Sequence, residues 1–229
     1  MKAVVIGATG TIGKGIVQEL QRKGYDIIHG SRNSELSIDI DNPESVDSFF
    51  SQIGKVDAVI CAAGNAAFAS IGELSEDKIQ ASLNSKFAGQ IRVARNAINN
   101  LNDNGAVILT GGMFAYAPWP STSIISAVNK GLEGFALGAT VELEHGKRVM
   151  VAHPPLLSES AEKMGMDATP WPNTSVVAKS YSKALESDVV ICYKQRAKAN
   201  VISHMELIGN VEGKNVVLVD DMVDTAGTL

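Results

Sequence analysis

In the stretch "IISAVNKGLEGF", Ser126 and Lys130 stand four residues apart on a segment whose apolar periodicity predicts a helix over 126–145. A lysine there can donate hydrogen bonds to a ligand's oxygens or simply line a helix surface. A serine hydroxyl can hydrogen-bond a carbonyl or pass a proton through water, but it is too weak an acid to be the main proton donor near neutral pH. Near the N-terminus, "VVIGATGTIGKG" sets Gly7, Gly10 and Gly13 after a short apolar run and at the start of a helical pattern. Glycines at such a turn let the backbone approach a pyrophosphate. The helix N-terminus adds unpaired N–H groups and a partial positive charge. Thr9, Thr11 and Ile12 share the turn and are candidate contacts. The spacing is GxxGxxG rather than GxGxxG, and a plain tight strand–helix turn would use the same glycines.

The second apolar run ends in "IIHGSRNSE". An acid there would bond the ribose hydroxyls of NAD, whereas an arginine accommodates a 2′-phosphate. Ser31 and Arg32 therefore favour NADP, with NAD as the alternative; Arg32 also reads as a solvated loop cation. Asp39, in "LSIDIDNPE", either reaches an adenine amino group or holds a turn.

These groups need a scaffold. The runs 3–7, 25–30, 56–64, 105–112 and 148–154 read as strands buried on both faces. Helical patterns at 11–23, 43–53, 76–100, 126–145 and 173–186 alternate with them. Asn42-Pro43-Glu44 and Ser75-Glu76-Asp77 carry helix-start signals. The alternation predicts an α/β fold, a doubly wound parallel sheet of the Rossmann type, over 1–187. A chain of 229 residues with 45% hydrophobic and 20% charged residues suits a globular α/β domain. A net charge of −5 gives no reason to expect a nucleic-acid or anionic-membrane partner. Cys61 and Cys192 lie in apolar runs and fit neither a disulfide framework nor a metal site, so no metal is expected. The first apolar run is too short for a signal peptide or a membrane span, so a cytoplasmic protein is expected.

Several motifs, in order, resemble the short-chain dehydrogenase/reductase family over 1–187, in an atypical compact form. "GATGTIG" is similar to the cofactor loop, and "CAAGNAAF" places Ala63 and Gly64 at the end of the family's Asn-Asn-Ala-Gly. "SLNSKFAGQ" resembles the helix carrying the family's asparagine, here Asn84. "AVILTGG" resembles the strand leading to the catalytic serine, whose place falls at Gly112. The catalytic tyrosine falls at Ser126, the lysine is Lys130, and Pro154-Pro155 stands for the Pro-Gly turn. The resemblance implies a nicotinamide cofactor, a small carbonyl or alcohol substrate, a homo-oligomer, and a tetrad lacking its serine and tyrosine. It also places "GGMFAYAPWPSTS" over the nicotinamide, where Met113, Tyr116 and Trp119 would line the substrate side, with Tyr116 reading more readily as packing than as an acid. His153 is a further titratable group there, and 155–172 reads as a substrate-covering segment. A catalytically silent nucleotide sensor on the same fold is the competing reading.

From 188 the text changes character. "VVLVDDMVDTAGT" resembles the phosphoribosyl-pyrophosphate motif of ribose-phosphate pyrophosphokinases. The resemblance assigns Asp220 and Asp221 to ribose hydroxyls, directly or through Mg²⁺, and Asp224, Thr225, Gly227 and Thr228 to a 5′-phosphate. "CYKQRAKAN" resembles that family's catalytic loop, with Lys194 and Arg196 as its basic pair. Nothing upstream matches that family's ATP-binding portion, and the text ends before the helix that would complete the phosphate loop. Residues 188–229 therefore read as an incomplete segment, through fusion or truncation, with "DVVICY" (188–193) available as the last strand of the first sheet.

Overall fold

The computed structural model describes residues 1–186 in full and the backbone of 191–198 and 201–208. It divides into two units, Met1–Leu185 and Glu186–Leu229. In the first unit five strands, β1 (Lys2–Ile6), β2 (Asp26–Gly30), β3 (Val56–Cys61), β4 (Leu101–Thr110) and β5 (Arg148–Ala152), form a parallel sheet in the order β2-β1-β3-β4-β5. The order reverses between β1 and β3, which makes the crevice beyond their C-terminal ends the expected ligand position.

Strand residues alternate between two cores, as a sheet covered on both faces requires. Val4, Ile6, Val59, Cys61, Val107 and Leu109 pack on one face with Phe49, Val93 and Leu132. Ala3, Val5, Ala58, Ile60 and Ile108 pack on the other with Ile16, Leu20 and Tyr181. Full burial of each such large side chain stabilises the fold by roughly 1.5–3 kcal/mol.

Helices α1 (Thr11–Arg22), α2 (Pro43–Gln52), α3 (Glu76–Ser82), α4 (Gln90–Asn100), α5 (Ser123–Glu142), α6 (Ser158–Lys163) and α7 (Thr174–Glu186) cover the sheet. Both expected caps form. The Asn42 side chain accepts the N–H groups of Glu44 and Ser45, and the Ser75 hydroxyl accepts that of Lys78. The predicted helix 76–100 is continuous but contains a π-helical stretch, Leu83–Gly89, between α3 and α4. Such wide turns rotate the faces of a helix and recur at functional sites.

In the second unit Ile191–Lys198 (β6) pairs antiparallel with Val201–Ile208 (β7) as a two-stranded sheet. The expectation that "DVVICY" completes the first sheet does not hold for the described residues, since 191–193 pair with 206–208. A hairpin partner nearby in sequence closes a short loop at smaller entropic cost than a distant edge. Lys194 and Arg196 fall on β6. Asp220, Asp221, Asp224, Thr225, Gly227 and Thr228 lie outside the described residues.

Candidate functional site

The chain leaves β1 through Gly7 at φ +81°, where an added Cβ would lie 2.7 Å from the Ala62 carbonyl oxygen. Gly13 packs so tightly that its Cβ would lie within 3.0 Å of the Gly7 backbone. The turn therefore closes against both the end of β3 and the start of α1. Gly10 caps α1 without a side-chain bond, and the first turn holds no acid. The helix thus presents its positive end unfilled, as an anion site requires. Thr9, Gly10, Thr11, Lys14, Lys163 and Thr174 line a cavity of about 800 Å³ beside it. Lys163 reaches within 3.4 Å of the Thr11 hydroxyl, so the segment after β5 folds over the glycine turn through α6.

At the end of β2, Ser31 is buried and its hydroxyl accepts the Asn33 N–H at 3.2 Å, holding the turn. Arg32 is exposed, and its guanidinium has no ion-pair partner among the described residues. One carboxylate oxygen of Asp39 accepts the Asp41 N–H at 3.1 Å. After β3, Ala63 and Gly64 begin a loop pinned to the neighbouring helix by two hydroxyls. Asn65 N–H donates to Ser85 Oγ at 3.1 Å, and Ala67 N–H to Ser82 Oγ at 2.9 Å.

Within the π-helical stretch the structure separates two candidates two residues apart. Asn84 is exposed and turned to the α2 side, where its Oδ1 accepts Arg92 at 2.7 Å and its Nδ2 donates to the Asp41 carbonyl at 3.3 Å. Lys86 is half-buried and has no hydrogen-bond or carboxylate partner among the described residues. Burial pushes its pKa down to about 8, and the group that acts on it electrostatically is Cys61. The Cys61 thiol is itself pushed up to about 11 by burial and offers no counter-charge.

Helix α5 has two differently equipped sides. Inward, Asn129 is 1% exposed and donates to the Gly112 carbonyl at 3.3 Å, while its Oδ1 and the Ser126 hydroxyl are buried without partners. Outward, Lys130 bonds Glu133 at 3.0 Å and lies 3.5 Å from the centre of the Tyr116 ring. Burial works against the Lys130 charge, but hydrogen bonds to Glu133 and Tyr116 hold its pKa above the ordinary value. His153 closes this outer group, with Nε2 3.0 Å from Glu133 Oε1 at ion-pair distance but without hydrogen-bond alignment. Its Nδ1 faces the Gly112 N–H at 3.2 Å and the Gly112 carbonyl at 3.1 Å. Met113 N–H donates to the Pro154 carbonyl at 3.0 Å, tying the ends of β4 and β5 together.

A helix N-terminus without a side-chain cap and polar residues beyond β3, β4 and β5 thus gather at the C-terminal end of the sheet. The model of the family described as short chain dehydrogenase matches residues 1–169. The chain belongs to the short chain dehydrogenase family. Among solved structures, the protein lin1944 from Listeria innocua is 32% identical with a TM-score of 0.74, over 80% of this chain and 92% of that one. A small-chain dehydrogenase in complex with NADPH shares the fold at TM-score 0.73 and 24% identity, over 82% of this chain and 91% of that one. A phosphoribosyl transferase domain model matches residues 172–229. Ribose-phosphate pyrophosphokinase of Porphyromonas gingivalis is 53% identical over 62 residues, 27% of this chain and 20% of that one. The same enzyme of Chlorobaculum tepidum is 53% identical over 53 residues, 23% of this chain and 16% of that one. The chain thus spans only about a fifth of the curated relatives it matches.

The phosphoribosyl match and the short chain dehydrogenase unit overlap at α7. Its Val177, Ala178 and Tyr181 are buried in the core beneath the sheet, so this helix is structurally part of the dehydrogenase unit. Of the residues expected on the substrate side, Trp119 joins an aromatic cluster, and Met113 Sδ accepts the Leu156 N–H at 3.3 Å. Phe68, Phe114, Trp119 and Trp171 form an edge-to-face row, with ring centres 5.8, 5.2 and 6.0 Å apart. Tyr116 turns instead to Lys130 and His153. Trp171 belongs to the segment 155–172 read as substrate-covering, whereas Phe68 carried no sequence signal beyond being aromatic. Lys86 and Asn129 were also missed, although the apolar row Ile125, Val128, Leu132, Ala136 could have revealed Asn129 on the inner face. No helix among the described residues is long and apolar enough to cross a membrane.

Proposed function

We propose that this chain is an NADP-dependent oxidoreductase acting on a small carbonyl or alcohol substrate. The carrying observation is the N-terminus of α1 above Gly7 and Gly13, which has no side-chain cap and no acid in its first turn, at the point where strand order reverses. Gly7, Thr9, Gly10, Thr11, Ile12 and Gly13 hold the pyrophosphate, Ser31 and Arg32 take the 2′-phosphate, and Asp39 lies toward the adenine. Ala63, Gly64 and Pro154 border the nicotinamide half. The bound cofactor supplies or accepts the hydride. Ser126 presents its unpartnered hydroxyl to the substrate oxygen. Phe114, Trp119 and Trp171 exclude water from that end. The protein is proposed to assemble with copies of itself in the cytoplasm.

A silent nucleotide-sensing role is the second reading, favoured by Gly112 and Ser126 standing where the resemblance puts the catalytic serine and tyrosine. Titration with NADPH and NADH, followed by enhanced nicotinamide fluorescence, tests what the two readings share. NADPH should bind at least about tenfold more tightly, the discrimination expected of one charged contact. Binding of neither cofactor would sink both readings. A carbonyl screen with NADPH oxidation at 340 nm then divides oxidoreductase from sensor.

A further inference from the structure

The π-helical stretch, which carries half-buried Lys86, packs against α5, which carries the buried and unpartnered Ser126 hydroxyl and Asn129 Oδ1. The helices touch closely there, for Gly131 leaves no room beside the Phe87 ring, where a Cβ would come within 2.8 Å. Both helices also grip the end of β4. Gln90 bonds the Thr110 N–H and carbonyl, each at 2.8 Å, and Asn129 bonds the Gly112 carbonyl. Lys86 lies one turn before Gln90, whose amide also donates to the Lys86 carbonyl at 3.3 Å. It therefore shares the side of the helix that meets the ends of β3 and β4.

Nothing on this side answers the Lys86 charge. From β3 it meets the Cys61 thiol. From α7, Tyr181 is spent on the Thr110 hydroxyl at 3.0 Å. The helix packed against this stretch, α5, carries the Ser126 hydroxyl and Asn129 Oδ1, both buried and both without a partner, and Glu133 Oε1, which lacks a hydrogen bond but lies 3.0 Å from His153. An unmet buried donor or acceptor costs about 1–3 kcal/mol, and an unmet charge more, so native proteins rarely keep several together without a use. The unmet set holds a cation, a hydroxyl and an acceptor. Such a set suits a polarised oxygen and the ribose hydroxyls next to it.

We propose that Lys86 is the proton donor of this site, with Ser126 and Asn129 holding the reacting oxygen and the neighbouring ribose. The inference rests on the oxidoreductase reading above. Hydride from the dihydronicotinamide forms the new C–H bond, and the carbonyl π pair moves to oxygen. That oxygen forms its O–H bond as the Lys86 Nζ–H bond breaks. The nicotinamide is oxidised and the carbonyl carbon reduced. The neutral Lys86 amine then recovers a proton from water. A lysine whose pKa lies near the working pH is suited to that exchange.

The test uses the full chain labelled with [ε-13C]lysine, the Lys86 signal being identified by its loss in Lys86→Arg. Two results are expected. The signal titrates near 8 rather than at the ordinary 10.5. It also moves on addition of NADPH, while nicotinamide fluorescence in the same sample reports binding. Lys86→Met, checked for folding by circular dichroism, should weaken NADPH about tenfold, and Lys86→Arg by less than about threefold, since arginine keeps the charge. A Lys86 signal that titrates at the ordinary value, or stays still while NADPH binds, overturns the proposal and leaves the cofactor reading intact. Absence of NADPH binding to the parent overturns both.

Discussion

The two sides of α5 hold similar side chains in opposite conditions. On the outer side, Lys130, Glu133, Tyr116 and His153 meet through an ion pair, a ring face and an imidazole contact, although Glu133 Oε1 and His153 Nε2 lack an aligned hydrogen bond. On the inner side, Lys86, Ser126 and Asn129 have unmet groups. Two lysines on neighbouring helices are therefore pushed in opposite directions, Lys130 up by its partners and Lys86 down by burial. A cluster whose lysine has a carboxylate partner stabilises the fold that bears it. An unsatisfied one lowers the stability of the empty protein and gains when a ligand arrives.

The largest effect that separates the two sides should come from Lys86→Met. A fall from 10.5 to about 8 corresponds to about 3 kcal/mol of charge penalty at neutral pH. Methionine fills similar volume without the charge, so urea unfolding of the empty protein should show a gain of about 1–3 kcal/mol. The pH dependence has a definite sign. The unfolded lysine keeps its proton up to about 10.5 while the folded one releases it near 8. Stability of the parent should therefore rise as pH climbs from 8 toward 10.5, and Lys86→Met should lose that rise. A destabilised Lys86→Met with an unchanged pH profile would place Lys86 among the satisfied groups.

A smaller effect of opposite sign is expected on the outer side. Glu133→Gln takes the anion from between Lys130 and His153. The carboxylate is lowered in pKa: burial works against its charge, but Tyr116 and Lys130 bonds outweigh that cost. Its contribution is present above the unfolded carboxylate range and lost as pH falls through the folded value. Partial exposure screens it, so the expected loss is about 1 kcal/mol at pH 7, vanishing in acid. Thermal unfolding of parent and variant at pH 7 and pH 4 measures both parts.

This contrast explains what the sequence could and could not disclose. The strands were legible because each is a continuous Val- and Ile-rich run, and the helix starts because Asn42 and Ser75 carry their own caps. The glycine turn was legible because Gly7 and Gly13 are demanded by local backbone geometry. The orientation of side chains around the crevice was not. A π-helical stretch spends extra residues on a turn, and 3.6-residue periodicity cannot show that Asn84 turns to Arg92 while Lys86 turns to the strand ends. On α5 the spacing between Ser126 and Lys130 suggested a shared face. The row Ile125, Val128, Leu132 and Ala136 instead carries Asn129 inward and leaves Lys130 with Glu133. The pairing of 191–193 with 206–208 escaped for a related reason, since an apolar strand pattern names no partner.

The smallest effect should be that of Lys130→Ala. The lysine side chain is 46% exposed, so its ion pair with Glu133 competes with water and salt. The contact over Tyr116 adds a cation–π term of about 0.5–1 kcal/mol at an exposed position. The Tyr116 hydroxyl still bonds the Glu133 carboxylate when Lys130 is gone, so that carboxylate is not left without a donor. The net loss should stay near or below about 1 kcal/mol and shrink further at high salt, read by urea unfolding at low and high ionic strength. A loss of several kcal/mol, unchanged by salt, would mean that the outer cluster is as desolvated as the inner one. The division between the two sides of α5 would then fail.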